Sequence, residues 1–440
     1  MRRENTPTQI MRDRMPAPRF FTSALNTFLP RASRRFLRMP APCPATTAVC
    51  EIDILARRII LPSMPITDEE MARAEFQDRG QKLARQEMWE ELAQEVRTAD
   101  SQRNATPGGE SAAMLLAFGA RSDVVAVAED ALHEGVVPAR DGIFALEQML
   151  EEYADDYACG LIVAMTHVDM GWAWRHAPDA PSLGTSVDRL KTFHAHFAKA
   201  AKILSDFCGL ALDAPSLAAA QCALLAAQSP ADRRVAEDYE DLIDLDPHSP
   251  RHMRALGQNL LPGSYGTYDQ LELQARRTAS RTGHIWGAGA YTWVYFDALA
   301  VDPDALSGLD VAFFTDGMRD ILARKPDQHY ANLLAAFCAV TMASDKTSSH
   351  KAARRALHQS LSWILSDHLH ELHPLIWTQA LHRPGLTPPL PSRRALITEG
   401  RRTALRAIAA IFADDIAEGN SIAFSPAGMY RLPTTIGNAS

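Results

Sequence analysis

Leu212-Asp213-Ala214-Pro215, Leu245-Asp246-Pro247 and Val301-Asp302-Pro303 are three versions of one phrase. Each follows an Ala-rich apolar stretch with helical spacing. In each, proline stops the helix, because it lacks an N–H and pushes the preceding residue out of the α region. Asp213 and Asp246 lie 33 residues apart, close to the length of one helical hairpin repeat. The return from Asp246 to Asp302 takes 56 residues, because Leu261-Pro262-Gly263-Ser264-Tyr265-Gly266 enlarges the intervening loop. The phrase predicts an all-α fold, an α-solenoid of antiparallel helical hairpins. Such a fold says little about what it holds.

Working outward, Leu217, Gln221, Leu224 and Leu225 mark one helix of the clearest hairpin, and Val235, Tyr239, Leu242 and Ile243 mark the other. Ser229-Pro230 and Ser249-Pro250 have the N-cap and N1 chemistry of helix starts. A further pair is expected over 268–282 and 285–300. Upstream, Thr67 and Glu70 form a capping-box pair that opens a long helix through Trp89 and Val96, ended by the turn at Pro107, Gly108 and Gly109. Further helices are expected over 122–132, 142–152 and 153–172, and then an amphipathic one on Leu190, Phe193, Phe197 and Leu204. Downstream, helical patterns cover 309–322, 331–342 and 351–372. A proline cluster (Pro384, Pro388, Pro389, Pro391) then forms a connector to a last helix over 392–417. No stretch shows sustained period-two alternation, and the tail is expected to fray. The expected organisation is a leader at 1–63, an N-terminal helical region at 64–185, helical repeats at 186–383, and a connector, helix and tail at 384–440.

Several residues resemble those of tetratricopeptide-like proteins. Trp286, Gly289 and Tyr291 resemble the Trp/Leu-Gly/Tyr positions of the first repeat helix, at compressed spacing, and Ala298 to Pro303 resembles the junction between repeats. The stretch Leu260-Leu261-Pro262 through Tyr265-Gly266-Thr267 resembles an uncharacterised bacterial family of helical-repeat proteins. The resemblance covers about residues 150–345 and implies an α-solenoid and protein–protein contact. It carries over no catalytic residues.

Composition narrows the classes. A chain of 440 residues exceeds one compact core. Its most apolar window, residues 218–227, is about half of what crosses a bilayer, so no membrane span is expected. Six scattered cysteines without a C-x-x-C pair favour a reducing cytoplasm over a disulfide framework. Residues 1–63 carry a net charge of +7 and the remainder −15. The acidic body argues against wrapping nucleic acid. The Arg- and Pro-rich leader has the composition of a transit peptide, a nucleic-acid arm or an unstructured or untranslated segment. Lacking a stable apolar face, it is expected to be dispensable for folding.

Candidate sites are few. Trp286, Tyr291 and Trp293 crowd one helical region, where they serve either the core or a binding groove. With Arg251, Arg254, Arg276 and Arg277 as carboxylate clamps, they make the candidate groove for a protein or peptide partner. The acidic runs Glu147, Glu151, Glu152, Asp155, Asp156 and Glu237, Asp238, Glu240, Asp241, Asp244 read as solvated faces, or as docking sites for a basic peptide. Asp367, His368, His370 and His373 have spacing that makes a metal thinkable, yet Pro374 disturbs the helix at the supposed ligand. His194, His196, His248 and His252 read as solvated or core-edge. Phosphate-loop, dinucleotide and nucleophile-elbow motifs are missing, so neither metal nor cofactor is expected. The leading expectation is a non-enzymatic binding scaffold. The alternative is a hydrolase with an acidic and histidine site inside a helical toroid.

Overall fold

Thr67 and Glu70 form the capping box that their spacing predicts. Thr67 Oγ1 accepts the Glu70 N–H at 3.3 Å, and Glu70 Oε2 accepts the Thr67 N–H at 3.1 Å. The computed structural model describes residues 54–343, 350–382 and 392–433. It is mostly helical. The first helices are α1 (Asp68–Arg85), α2 (Trp89–Ser101), α3 (Ala112–His133), α4 (Asp141–Glu152), α5 (Tyr157–His176), α6 (Ser186–Leu204) and α7 (Pro215–Leu224). The chain continues through α8 (Val235–Leu245), α9 (Pro250–Asn259), α10 (Tyr268–Trp286), α11 (Gly289–Val301), α12 (Val311–Arg324) and α13 (Gln328–Ala336). Then come α14 (Lys351–Gln359), α15 (Leu361–Asp367), α16 (Pro374–Leu381), α17 (Arg393–Ile411) and α18 (Ala413–Ala417).

Two apolar cores organise these helices, and α7 belongs to both. Leu83, Val96, Leu161, Ile162, Phe193 and Phe197 fill the first, built from α1 to α7. Trp286, Trp293, Phe314, Phe337, Trp377 and Ile408 fill the second, built from α7 onward together with Ile59 of the first described segment. Within α7, Leu217, Ala220, Ala223 and Leu224 face the first core, while Ala218, Ala219 and Cys222 face the second. A helix that is apolar all round must be buried all round, and here two layers cover it. The first turn of α7 has no side-chain cap of its own. Asp100, at the end of α2, supplies one by accepting the Ser216 N–H at 3.1 Å.

The Asp-Pro phrases end helices as expected at Asp246, after α8, and at Asp302, after α11. The first phrase is corrected: α6 already stops at Leu204, and Pro215 opens α7 instead of ending a helix. Ser249-Pro250 starts α9, with Pro250 in the first turn. Ser229-Pro230 does not start a helix, and α8 begins only at Val235. The pair of helices expected to part near residue 283 instead parts at Gly287. There φ is +59°, a left-handed conformation that favours glycine.

Two expectations about the ends are corrected. Residues 54–63, expected within the leader, form a helical turn and β1 (Ile59–Ile60), and Ile59 is buried. The rest of the leader, 1–53, lies outside the described residues, as does most of the proline connector. The tail expected to fray contains β2 (Ser421–Ser425) and β3 (Gly428–Leu432), an antiparallel hairpin. β1 adds to it in parallel, pairing Ile59 with Ile422 and Ile60 with Ala423. The strands escape notice in the sequence because only Ser421-Ile422-Ala423-Phe424-Ser425 alternates, and five residues make too short a signal.

The sheet joins the first described segment to the last. Beside it, the Met64 N–H donates to the Leu372 carbonyl and the Leu372 N–H to the Pro62 carbonyl, both at 2.8 Å. Arg393 reaches Glu70 Oε1 at 2.7 Å. Ile59→Ala should therefore cost about 2–4 kcal/mol of unfolding free energy in a denaturant titration. An unchanged midpoint would mean that this junction carries no stability.

Candidate functional site

The capping box fixes the phase of α1, and that phase turns Glu69 inward. Its carboxylate accepts the Gly108 N–H at 2.6 Å and lies 3.5 Å from Arg251 Nη2. Opposite, the 105–111 turn closes on itself through the Ala105–Ser111 bridge, the Thr106 N–H to the Glu110 carbonyl (2.9 Å) and the Glu110 N–H to Thr106 Oγ1 (3.0 Å). That turn presents Glu110, whose Oε2 is 2.5 Å from Arg73 Nη1 and 3.1 Å from Arg251 Nη2. Arg73 comes from α1 and Arg251 from α9. Two carboxylates and two guanidiniums thus meet between the cores.

Gly108 is where backbone, carboxylate and imidazole crowd together. A Cβ there would sit 2.8 Å from His329 Nε2 and 2.9 Å from Glu69 Oε2. Burial pushes His329 down to about 4, with Glu69 opposing and Arg251 reinforcing the shift. The imidazole is therefore neutral at pH 7. Burial alone would raise the Glu69 carboxyl, but Arg251 and the hydrogen bonds from Thr106 and Gly108 outweigh it and hold Glu69 below the usual carboxylate range. Both Glu69 oxygens and Glu110 Oε2 are engaged by the protein itself, so the cluster ties elements together rather than offering a free base.

A second group, buried at His167 and open to solvent at Lys199, links α4, α5 and α6. His167 Nδ1 lies 3.0 Å from His196 Nδ1, and His167 Nε2 lies 3.2 Å from Glu147 Oε1. Lys199 Nζ closes on the same oxygen at 2.5 Å. Burial drives both histidines well below their ordinary value. His196 is thus a core-edge residue, not a solvated one. His252 is buried against Asp246, 3.3 Å away.

The groove expected from the sequence is corrected. Trp286, Tyr291 and Trp293 are each 0% exposed, so they are core residues and no partner reaches them. Trp286 Nε1 donates to the Pro247 carbonyl at 2.8 Å, and its ring meets Trp293 edge-on at 6.0 Å. Tyr291 donates to Glu272 at 2.7 Å. The four arginines already hold this chain's own carboxylates. Arg251 holds Glu69 and Glu110, and Arg254 grips Asp297 through two bonds of 3.0 and 2.8 Å. Arg276 holds Glu272 and Asp310, and Arg277 holds Glu240.

The histidine segment follows α15 as irregular chain rather than helix, because α15 ends at Asp367. Gln328 and Asn332 of α13 pin it through backbone bonds at His368, His370, Glu371 and His373. Among the described residues, no group of three His, Cys, Asp or Glu side chains is placed to hold a metal. No described helix is long and apolar enough to cross a membrane.

Each acidic run is paired in part. On α8, Glu240 and Asp244 are taken up by Arg277 and Arg281, while Glu237, Asp238 and Asp241 have no ion-pair partner among the described residues. In the first run, Lys199 takes up Glu147 and Arg97 takes up Asp156. At the end of α4, Glu151, Glu152 and Asp155 are exposed and have no ion-pair partner among the described residues. With Tyr153, Tyr157 and the Arg97–Asp156 ion pair, they line an open depression of about 560 Å³. At the other end of α4, the α3–α4 corner exposes Val127, Val136, Val137 and Phe144.

Compared with known proteins, the chain matches no family model, no curated protein and no solved structure.

Two outcomes follow from the buried charges. Glu110→Gln leaves Arg73 and Arg251 facing each other without the carboxylate between them, and should cost about 3 kcal/mol in a denaturant titration. A loss under about 1 kcal/mol would contradict the geometry. The depressed histidines give the pH dependence. Their folded values lie below the unfolded 6.5, so the stability they carry is whole above pH 6.5 and is lost as pH falls toward 4. Glu69 adds a loss in the same direction at more acid pH. The unfolding midpoint should drop from pH 7 to pH 5, and His329→Gln should flatten that slope. A midpoint rising on acidification would contradict it.

Proposed function

We propose that the protein is a non-enzymatic helical scaffold that docks a protein or peptide segment carrying basic and apolar side chains, at the α3–α4 corner and the acidic end of α4. The observation behind this reading is the set of exposed carboxylates at Glu151, Glu152 and Asp155 around an open depression, on a helix whose other end exposes Phe144. Carboxylates left in solvent at little cost raise the local concentration of cationic partners and steer their approach. A small group of exposed apolar side chains at the other end of α4 supplies the desolvated contact that holds a partner once it arrives.

In the same reading, α8 to α12 are a stack of hairpins of the tetratricopeptide kind, inside a reducing cytoplasm. The serial packing of α8 on α7, α9 on α8 and α11 on α10 supports the stack. The bonds that join residues 59–70 to 372–423 weigh against an open array, whose repeats touch only their neighbours. The hydrolase reading is less favoured, because the carboxylates nearest a buried imidazole are held by arginines.

A photo-crosslinking residue placed at Asp155, and another on the exposed face of α14 as a control, tests the docking surface. The Asp155 probe should capture a partner through a Lys/Arg-rich segment, with capture weakening as salt rises. Glu151→Lys with Glu152→Lys should reduce capture at least tenfold at an unchanged melting temperature. Equal capture from α14, or capture indifferent to charge reversal, would contradict the proposal.

A further inference from the structure

Of the twelve residues of α4, three are buried, Ile143, Leu146 and Met149, and Arg140 before them supplies no side-chain cap. The rest of its hold on the first core is ionic. Glu147 Oε1 lies 3.2 Å from His167 Nε2 of α5 and 2.5 Å from Lys199 Nζ of α6. Behind it, His167 Nδ1 faces His196 Nδ1 across α5 and α6 at 3.0 Å. Two ring nitrogens at that distance share one proton, so one ring donates and the other accepts. His167 Nε2 faces a carboxylate and carries its ring's hydrogen, which makes its Nδ1 the acceptor and His196 the donor. The charged groups acting on the pair are Arg140 and Glu147 of α4 and Lys199 of α6, two cations against one carboxylate. A proton added to His167 Nδ1 sets two N–H groups head to head. One added to His196 places a further cation beside Lys199. His167 is 1% exposed, so water offsets neither.

We infer that the His167–His196 pair is a proton-operated latch, through which mild acidification releases α4 from α5 and α6 while the rest of the chain stays folded. α5 and α6 are too closely packed to part first. A Cβ on Gly171 of α5 would sit 2.9 Å from the Phe197 ring of α6, and α6 seats Phe193, Phe197, Ala200 and Leu204 in the core. α4 leaves by uncovering three apolar side chains, and its departure lets water reach both imidazoles. Burial holds the two rings at about 4 while α4 is in place, against 6.5 when hydrated. The closed state is therefore fully favoured above pH 6.5 and loses ground as pH falls toward 4. Between pH 7.5 and 5.0, each histidine that the opening hydrates favours it about 30-fold. The inference does not depend on α4 docking a partner.

Amide hydrogen exchange of the full chain at pH 7.5 and 5.0, corrected for the intrinsic rate at each pH, tests this. Amides of Leu146, Met149 and Leu150 should lose protection about 30-fold or more at pH 5.0, through an opening nearly independent of added denaturant. Those of Leu161 and Ile162 in α5 should remain better protected, and open with a steep denaturant dependence. His167→Gln with His196→Gln removes both titrating groups, and the acid-induced loss in α4 should shrink to under about threefold. His196→Gln alone, at a half-buried position, should already shrink it, and serves if the double variant does not fold. His329→Gln, outside the group, should leave the loss in α4 whole. The inference is overturned if α4 keeps its protection at pH 5.0, if it opens together with Leu161 at one free energy and one denaturant dependence, or if the loss persists undiminished in the His167 and His196 variants.

Discussion

The structure depends on charges buried where two apolar cores meet. Glu69 and Glu110 are both nearly enclosed, and each needs a cation to remain ionised there. Arg251 serves both, and Arg73 adds a second contact to Glu110. The four residues come from α1, a tight turn and α9, so none can shift without uncovering another charge. Desolvated ion pairs contribute little net stability when replaced as a set by apolar groups. Broken one at a time, they cost several kcal/mol. The cluster therefore acts as a lock on geometry more than as a source of stability.

Around that lock, helices are completed by residues distant in sequence. Asp100 caps α7 across 116 residues, and Ser249 Oγ donates to the Gly109 carbonyl across 140. The Trp286 indole holds the Pro247 carbonyl. These contacts make the Asp-Pro junction after α8 an anchor point rather than a surface loop, since it carries both the second core and the turn that presents Glu110. The β1–β2 pairing closes the same arrangement at its ends. Each end of the described chain is thus fastened to elements far from it in sequence.

Much of the helical framework was legible because its signals are local. The Thr67–Glu70 capping box, the prolines after Asp246 and Asp302, and the 3.6-residue pattern on Phe193 and Phe197 each act within a turn or two. The site was not legible, because its members are brought together from far apart. Nothing near Glu69 in the sequence indicates Arg251, 182 residues away. Nothing distinguishes Glu69 from Asp68 and Glu70 except the rotational phase that the cap imposes. The aromatic cluster misled for a different reason. α11 is buried on nearly every side, so its rings carry no periodicity that separates a core face from a groove face. The arginines drew attention as clamps, but a sequence does not reveal that their carboxylates are already present in the same chain.

An ionic cluster and a helix shared between two cores should make them one cooperative unit. Native-state hydrogen exchange, followed residue by residue as denaturant is raised, measures this directly. Amides of Leu161 and Ile162 in the first core and of Trp293 and Val294 in the second should converge on one opening free energy and one denaturant dependence. If either core exchanges through a separate opening several kcal/mol below the other, the cores are independent and the ionic cluster does not couple them.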